Sequence, residues 1–267
     1  MSKTLKLFFC FMLAAGLASS QESIGGNFSV GGNLSISAHS SQPVIMACLG
    51  DSITAGYTVG GNVSGYLCPT IVSDLNTLIG GSLITNVSFP SGQNLTAGVI
   101  GSTTAQWETG GAGLPGGGGD VSSLCNGTGG GARFSPGLVT AGATLVSFML
   151  GTNDAVAAVS SGNYSTRVQN IITALKSCGV QKIILHYQPY NNATPAADPY
   201  LLQYQTVIGS LAAADPTHVL VGDTTAYTYY QSNPSCEGDG LHPIATGCGY
   251  PYLASIQAAA IKGALGY

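Results

Sequence analysis

Apolar residues in this chain fall into short runs bounded by Gly, Ser, Asn and Pro, and these runs alternate with stretches of helical spacing. Residues 43–48, Pro43-Val44-Ile45-Met46-Ala47-Cys48, form an apolar run that predicts a buried strand. Residues 82–87, 144–150, 182–187 and 218–221 predict four more strands. Between them, residues 71–79 and 200–213 are expected as helices. Residues 164–177 place Val168, Ile171, Ile172 and Leu175 on one helical face, with Gly179 as a stop. Residues 252–265 close the chain as a helix. Strands alternating with helices imply a parallel sheet covered on both faces. The expected fold is therefore α/β, a three-layer α/β/α sandwich on a mainly five-stranded parallel sheet, with any site in the turns at the strand C-termini.

Two stretches stand outside that alternation. Residues 101–137 hold the glycine runs Gly110-Gly111, 116–119 and 129–131 and show no helical pattern, so a long Gly-rich loop is expected there. No Gly-Lys-Ser/Thr follows those glycines, which argues against a phosphate cradle. Trp107, the only tryptophan, lies in this stretch; it is either a platform for a sugar ring or a local hydrophobic anchor. At the other end, Lys3 and Lys6 precede an apolar run over residues 7–17, and Ala18-Ser19-Ser20 supplies small residues before Gln21. Residues 1–20 therefore read as a secretory signal peptide, and residues 21–42, rich in Gly, Ser and Asn, as a flexible arm. Residues 43–267 are expected as one domain, and no later segment reads as a transmembrane span.

Composition sharpens this. Only 7% of residues are charged and the net charge is −4, against about a quarter charged in a typical soluble protein. Ser, Thr, Asn and Gly must supply the polar surface. So few cations leave no basic patch for nucleic acid and no polybasic membrane signal. Sequons begin at Asn27, Asn33, Asn62, Asn86, Asn94, Asn126, Asn163 and Asn192, which in a secreted eukaryotic chain predicts a glycoprotein with Asn86 unmodified.

The candidate chemistry sits in the turns. After the first strand comes Leu49-Gly50-Asp51-Ser52-Ile53, which places a serine where the chain leaves the sheet. Such a serine can present its hydroxyl and its own backbone N–H to one space, as a nucleophile that also contributes to an oxyanion hole does. Gly-Asp-Ser is by itself an ordinary turn sequence. After the third strand comes Gly151-Thr152-Asn153-Asp154, where Asn153 can offer an amide donor. Near the C-terminus lies Asp239-Gly240-Leu241-His242-Pro243. Here His242 can act as general base and Asp239 can fix its tautomer from the same turn.

Taken together and in order, these blocks resemble the GDSL, or SGNH, hydrolase family, with Asn86-Val87-Ser88-Phe89-Pro90-Ser91-Gly92 as a looser match to its glycine block. The resemblance covers residues from about 43 to the C-terminus. It implies a flavodoxin-like SGNH hydrolase fold, a Ser52–His242–Asp239 triad, and an oxyanion hole formed by the Ser52 and Gly92 N–H groups and the Asn153 side chain. It also implies an acyl-enzyme formed without cofactor or metal. A helix between the second and third strands is common in the family, so the stretch 101–137 departs from it.

The expected activity is that of a secreted, monomeric serine esterase acting on an ester substrate, foremost an acetylated carbohydrate. A lysophospholipase or short-chain lipase is the alternative, and a non-catalytic carbohydrate-binding protein is the alternative of another class. Cys10 leaves with the signal peptide, so six of the seven cysteines remain in an oxidising compartment. Cys236 and Cys248 bracket Asp239 and His242 and are expected to pair. Cys68 and Cys125 lie in segments expected near the site and form a second candidate pair, which leaves Cys48 and Cys178 as candidates for free buried thiols.

Overall fold

The computed structural model of the chain describes residues 28–30, 34–36, 43–59, 61–62, 67–87, 89, 96–128 and 133–267. The expected signal peptide lies outside them. Residues 1–41 form a unit of their own. Within it β1 (Phe28–Val30) pairs antiparallel with β2 (Leu34–Ile36), so part of the expected arm is a short hairpin.

The second unit, residues 42–267, is the α/β domain. Its central strand is β3 (Val44–Gly50). A small antiparallel pair, β4 (Tyr57–Thr58) with β5 (Gly61–Asn62), stands apart from the sheet. On one edge of β3 run β6 (Ile84–Asn86) and then the two-residue β7 (Ala97–Gly98). On the other edge come β8 (Leu145–Met149), β9 (Lys182–Leu185) and β10 (Val219–Val221) in that order. Every pairing in this sheet is parallel. By chain order the five principal strands run 2-1-3-4-5, the flavodoxin-like winding, whose switch point lies between the first and third. Here that crevice opens between the ends of β3 and β8.

Strand side chains point alternately to opposite faces, and both faces of β3 are buried. Ile45, Ala47 and Leu49 pack into one core; Met46 and Cys48 pack into the other. The second core is closed by α1 (Leu67–Ile79) and the C-terminal helix, which send Ile71, Leu75, Leu253 and Ile261 against the sheet. The first core takes α2 (Thr104–Trp107), α3 (Val121–Asn126), α4 (Leu138–Ala141), α6 (Ser161–Ser177) and α7 (Asp198–Ala214). Two shorter helices, α5 (Thr152–Val156) and α8 (Ala226–Ser232), follow β8 and β10; α9 (Tyr250–Leu265) ends the chain. The Val168, Ile171, Ile172 and Leu175 stripe of α6 is buried, Ser160 caps its start by accepting from the Asn163 N–H, and Gly179 follows its end at φ 92°. Among the described residues no helix is long and apolar enough to cross a membrane.

The stretch 101–137 corrects the expectation of a long loop. It holds α2 and α3, and α4 begins directly after it. Helices of four and six residues are too short to display a period, so they are invisible to a pattern search. They exist because Asp120 caps α3 through the Ser123 N–H and because Trp107, Val121, Leu124 and Phe134 are buried in the core.

Disulfides tie the layers. Cys48 on β3 is joined to Cys68 on α1, and Cys125 on α3 to Cys178 after α6. This corrects the expected Cys68–Cys125 pair and the expectation of free Cys48 and Cys178 thiols. Cys48 and Cys68 share the core closed by α1 and the C-terminal helix, whereas Cys125 Sγ faces the Ala174 carbonyl of α6, a helix that packs on the other core. Cys236 is joined to Cys248, with Cα atoms 5.3 Å apart.

Candidate active site

The chain turns sharply after Gly50. The Asp51 carboxylate accepts from the Ile53 N–H at 3.0 Å, and the Ala55 and Tyr57 N–H groups donate to the Asp51 and Ser52 carbonyls. That turn is pressed so closely on β8 that a Cβ at Gly50 would collide with the Met149 carbonyl and the Thr54 side chain. Gly98 on β7 meets Ala55 in the same way, so two glycines let the backbone close around the turn. Ser52 is left 6% exposed. Its backbone N–H makes no hydrogen bond among the described residues.

The serine hydroxyl lies 2.9 Å from Nε2 of His242. On the far side of the ring, Nδ1 lies 2.8 Å from Oδ2 of Asp239. An acceptor-only carboxylate there places the imidazole proton on Nδ1 and turns the Nε2 lone pair to the serine. Oδ1 of Asp239 accepts the backbone N–H groups of Leu241 and His242 at 3.0 and 2.8 Å. Burial works to raise the Asp239 pKa; the hydrogen bonds from the His242 ring and from the two N–H groups outweigh it and hold the carboxyl below its ordinary value. Tyr57 stands edge-on to the His242 ring, with centroids 4.7 Å apart.

Asp239 and His242 ride on a narrow hairpin. Glu237 and Pro243 are bridge partners, the Gly238 N–H donates to the His242 carbonyl at 2.8 Å, and the Ile244 N–H donates to the Cys236 carbonyl at 2.8 Å. The Cys236–Cys248 bond closes its base.

Asn153 reaches the crevice from the start of α5. One hydrogen of its Nδ2 is given to the Ser102 carbonyl at 2.9 Å, and the other has no partner among the described residues. Ser102 is itself fixed: its hydroxyl donates to the Gly50 carbonyl at 3.3 Å and accepts from Trp107 Nε1 at 3.0 Å. Next to Asn153, the buried Asp154 accepts both the N–H and the hydroxyl of Thr104, with Arg167 at 3.8 Å. The segment 99–107 thus clamps the turn bearing Ser52 to the turn bearing Asn153. Trp107 is fully buried and works inside this clamp, which corrects the reading of it as a sugar platform. Gly92, the third expected oxyanion donor, lies outside the described residues.

A second Ser–His pair marks the contrast. Ser147 on β8 lies 3.1 Å from Nε2 of His186, and Nδ1 of His186 accepts the Asp223 N–H at 2.9 Å. That ring is fully buried, and burial pushes its pKa down to about 4. It is a neutral pin between neighbouring strands. Only the Ser52 pair stands at the crevice with a carboxylate behind the ring.

Sequence reasoning missed Ser102, Thr104, Asp154 and Tyr57. Asp154 carried a signal, a carboxylate directly beside Asn153 in a chain with 11 acidic residues; Ser102 and Thr104 carried none.

Over residues 48–248 the sequence matches the GDSL-like lipase/acylhydrolase family. The chain belongs to that family. Membership makes it a carboxylic ester hydrolase, and the flavodoxin-like sheet with Ser52 at its switch point is the SGNH hydrolase fold. Similar solved structures include a lipase/acylhydrolase from Enterococcus faecalis, 21% identical, with a TM-score of 0.56 over 82% of this chain and 96% of that one. Axe2, an acetylxylan esterase from Geobacillus stearothermophilus, is 19% identical, with a TM-score of 0.54 over 85% and 95%. A carbohydrate esterase family 3 protein from Talaromyces cellulolyticus is 15% identical, with a TM-score of 0.53 over 84% and 99%. No protein of curated function matches the sequence.

Proposed function

We propose that this GDSL-family protein is a secreted, monomeric serine esterase that removes acetyl groups from carbohydrate through an acyl-enzyme. The observation that carries the mechanism is the continuous line Ser52 Oγ, His242 Nε2, His242 Nδ1, Asp239 Oδ2, with 2.9 and 2.8 Å at its two hydrogen bonds. Ser52 Oγ attacks the ester carbonyl as its proton passes to Nε2. The oxyanion is received by the Ser52 N–H and the free Asn153 amide hydrogen, with the Gly92 N–H as the family resemblance implies. The imidazolium, held by Asp239, returns the proton to the leaving alcohol oxygen. Water then repeats the sequence on the acyl-enzyme and releases acetate.

Carbohydrate as the alcohol is supported by the names of two structural neighbours, an acetylxylan esterase and a family 3 carbohydrate esterase. Secretion is supported by the leader pattern and by three disulfides.

Two measurements test the reading. Ser52→Ala should remove turnover by several orders of magnitude while the fold persists; wild-type hydrolysis by the folded variant would take Ser52 out of the mechanism. Acetate release from acetylated xylan should accompany a preference for p-nitrophenyl acetate over longer acyl esters. A rate that climbs with acyl length would replace the carbohydrate reading with a lipase.

A further inference from the structure

Glutamate in a turn normally faces water, yet Glu237 is 5% exposed and sits at the root of the hairpin that carries Asp239 and His242. Its Oε2 accepts from Nδ2 of Asn192 at 2.6 Å. The same Nδ2 donates to the Tyr230 carbonyl at 3.1 Å, so both amide hydrogens of Asn192 are engaged. Beside it, the Ala193 N–H donates to the Gly240 carbonyl at 2.7 Å, at the hairpin's tip. Tyr230, fully buried on α8, gives its hydroxyl hydrogen to the Gly249 carbonyl, next to Cys248. The Asn192-Ala193 pair therefore links the chain beyond β9 to helix α8 and to both ends of the hairpin, Asn192 at the root and the Ala193 N–H at the tip.

We propose that Asn192 and Glu237 are positioning residues that set the distance from His242 to Ser52. The inference rests on the Ser52–His242–Asp239 reading above. Glu237 is the bridge partner of Pro243, the residue after His242, so a shift at Glu237 is passed to the imidazole. A misplacement of about 1 Å at a reacting group can cost on the order of 10² in rate. Stability is a poor reason to keep this group: a buried carboxylate costs desolvation, and well-packed apolar replacements of buried charges are often neutral or stabilising. Positional specificity is the role left to it. The brace also decides the fate of the Asn192-Ala193-Thr194 sequon. A glycan on Nδ2 would displace one of the two hydrogens in use, so Asn192 stays unmodified.

Glu237→Leu, Glu237→Gln, Asn192→Ala and Ser52→Ala test this together, with p-nitrophenyl acetate kinetics and thermal melting on each. Glu237→Leu should melt at or above the wild-type temperature, lose roughly ten- to a hundredfold in kcat and keep KM within about threefold. Glu237→Gln, which retains an acceptor for Asn192, should restore kcat to within about threefold of wild type. Wild-type kcat in Glu237→Leu, or an equal loss in Glu237→Gln, would overturn the brace. If the leucine variant fails to fold, Asn192→Ala decides: the same kcat loss supports the brace, and unchanged kcat ends it. Full turnover by Ser52→Ala would overturn the site reading itself and the brace with it. Peptide mass spectrometry of active protein secreted from a eukaryotic host should find Asn192 bare; a glycan there would contradict the brace.

Discussion

Asn153 shows how one side chain is aimed. An asparagine amide turns freely about its last bond, and the oxyanion donor of the proposed mechanism must be held to within about 0.5 Å of its productive position. The Ser102 carbonyl supplies that hold, and Ser102 is held in turn by Trp107 Nε1 and the Gly50 carbonyl. Asn153→Ala should lower kcat by roughly 10²–10³ with little change in KM, the cost of one oxyanion donor. Trp107→Phe keeps the ring in the core and removes only the N–H. It should lower kcat several-fold in the wild-type background and add nothing to Asn153→Ala. Additive losses would mean that Trp107 acts through packing alone. The blocks bearing Ser52 and Asn153 were legible because each directly follows an apolar strand run, and Asp239 and His242 because the two lie three residues apart in one turn. The supporting residues were not: Ser102 and Asn153 lie 51 positions apart, and nothing in either neighbourhood announces the pair. Glu237 was hidden by its chemistry, since a lone glutamate in a turn reads as solvated.

At the scale of elements, the principal strands and the long helices were readable because the burial that fixes them is periodic. β3 and β8 are buried on both faces and so appear as apolar runs, broken in β8 only by Ser147, while α6 shows one apolar stripe. What could not be read is short or long-range: β7 has two residues, α2 has four, and the Cys48–Cys68 and Cys125–Cys178 pairings follow from which helix packs beside each cysteine, at separations of 20 and 53 residues. The Cys236–Cys248 bond was readable because it spans only 12 residues. Its role belongs to the hairpin. Gly240 takes a left-handed φ of 78°, and only a few backbone bonds hold the turn. A cross-link closing so short a loop stabilises by roughly 3 kcal/mol in the chain-entropy model. The double variant Cys236→Ala/Cys248→Ala should therefore lose kcat before it loses its fold. Near-UV circular dichroism and p-nitrophenyl acetate turnover, followed on one sample with rising temperature, will show activity falling first; coincident loss would assign the bond to global stability alone.

For the whole molecule, the pH dependence of stability rests on a few buried ionisable groups. Asp51 is buried in the turn where β3 meets the crevice of the 2-1-3-4-5 sheet, Glu237 at the hairpin root and His186 directly after β9. Burial raises Asp51 from 3.8 to about 6, and raises Glu237 from 4.5 to about 7 against the opposing bond from Asn192 and with the help of nearby Asp239. Burial lowers His186 from 6.5 to about 4. The signs differ. A carboxyl whose folded pKa is raised holds more protons folded than unfolded, so its contribution is complete below the unfolded value and is lost as pH rises through the folded one. For Glu237 that window runs from 4.5 to about 7. His186 does the reverse, contributing above 6.5 and losing it as pH falls toward about 4. In the wild-type melting curve the two partly cancel, so Glu237 must be isolated by comparison with Glu237→Gln, which leaves His186 and Asp51 in place. Near pH 5 the native Glu237 is protonated, and a neutral amide should change the melting temperature little. Near pH 8 the wild type carries a buried carboxylate and the variant does not. At ~1.4 kcal/mol per pKa unit, relief of that charge is on the order of 3 kcal/mol, several degrees of melting temperature for a domain of this size. The melting temperature of Glu237→Gln should therefore gain on the wild type by several degrees between pH 5 and pH 8. A difference that stays constant across that range would mean that Glu237 ionises as it would in water, and that burial of the hairpin root does not govern its charge.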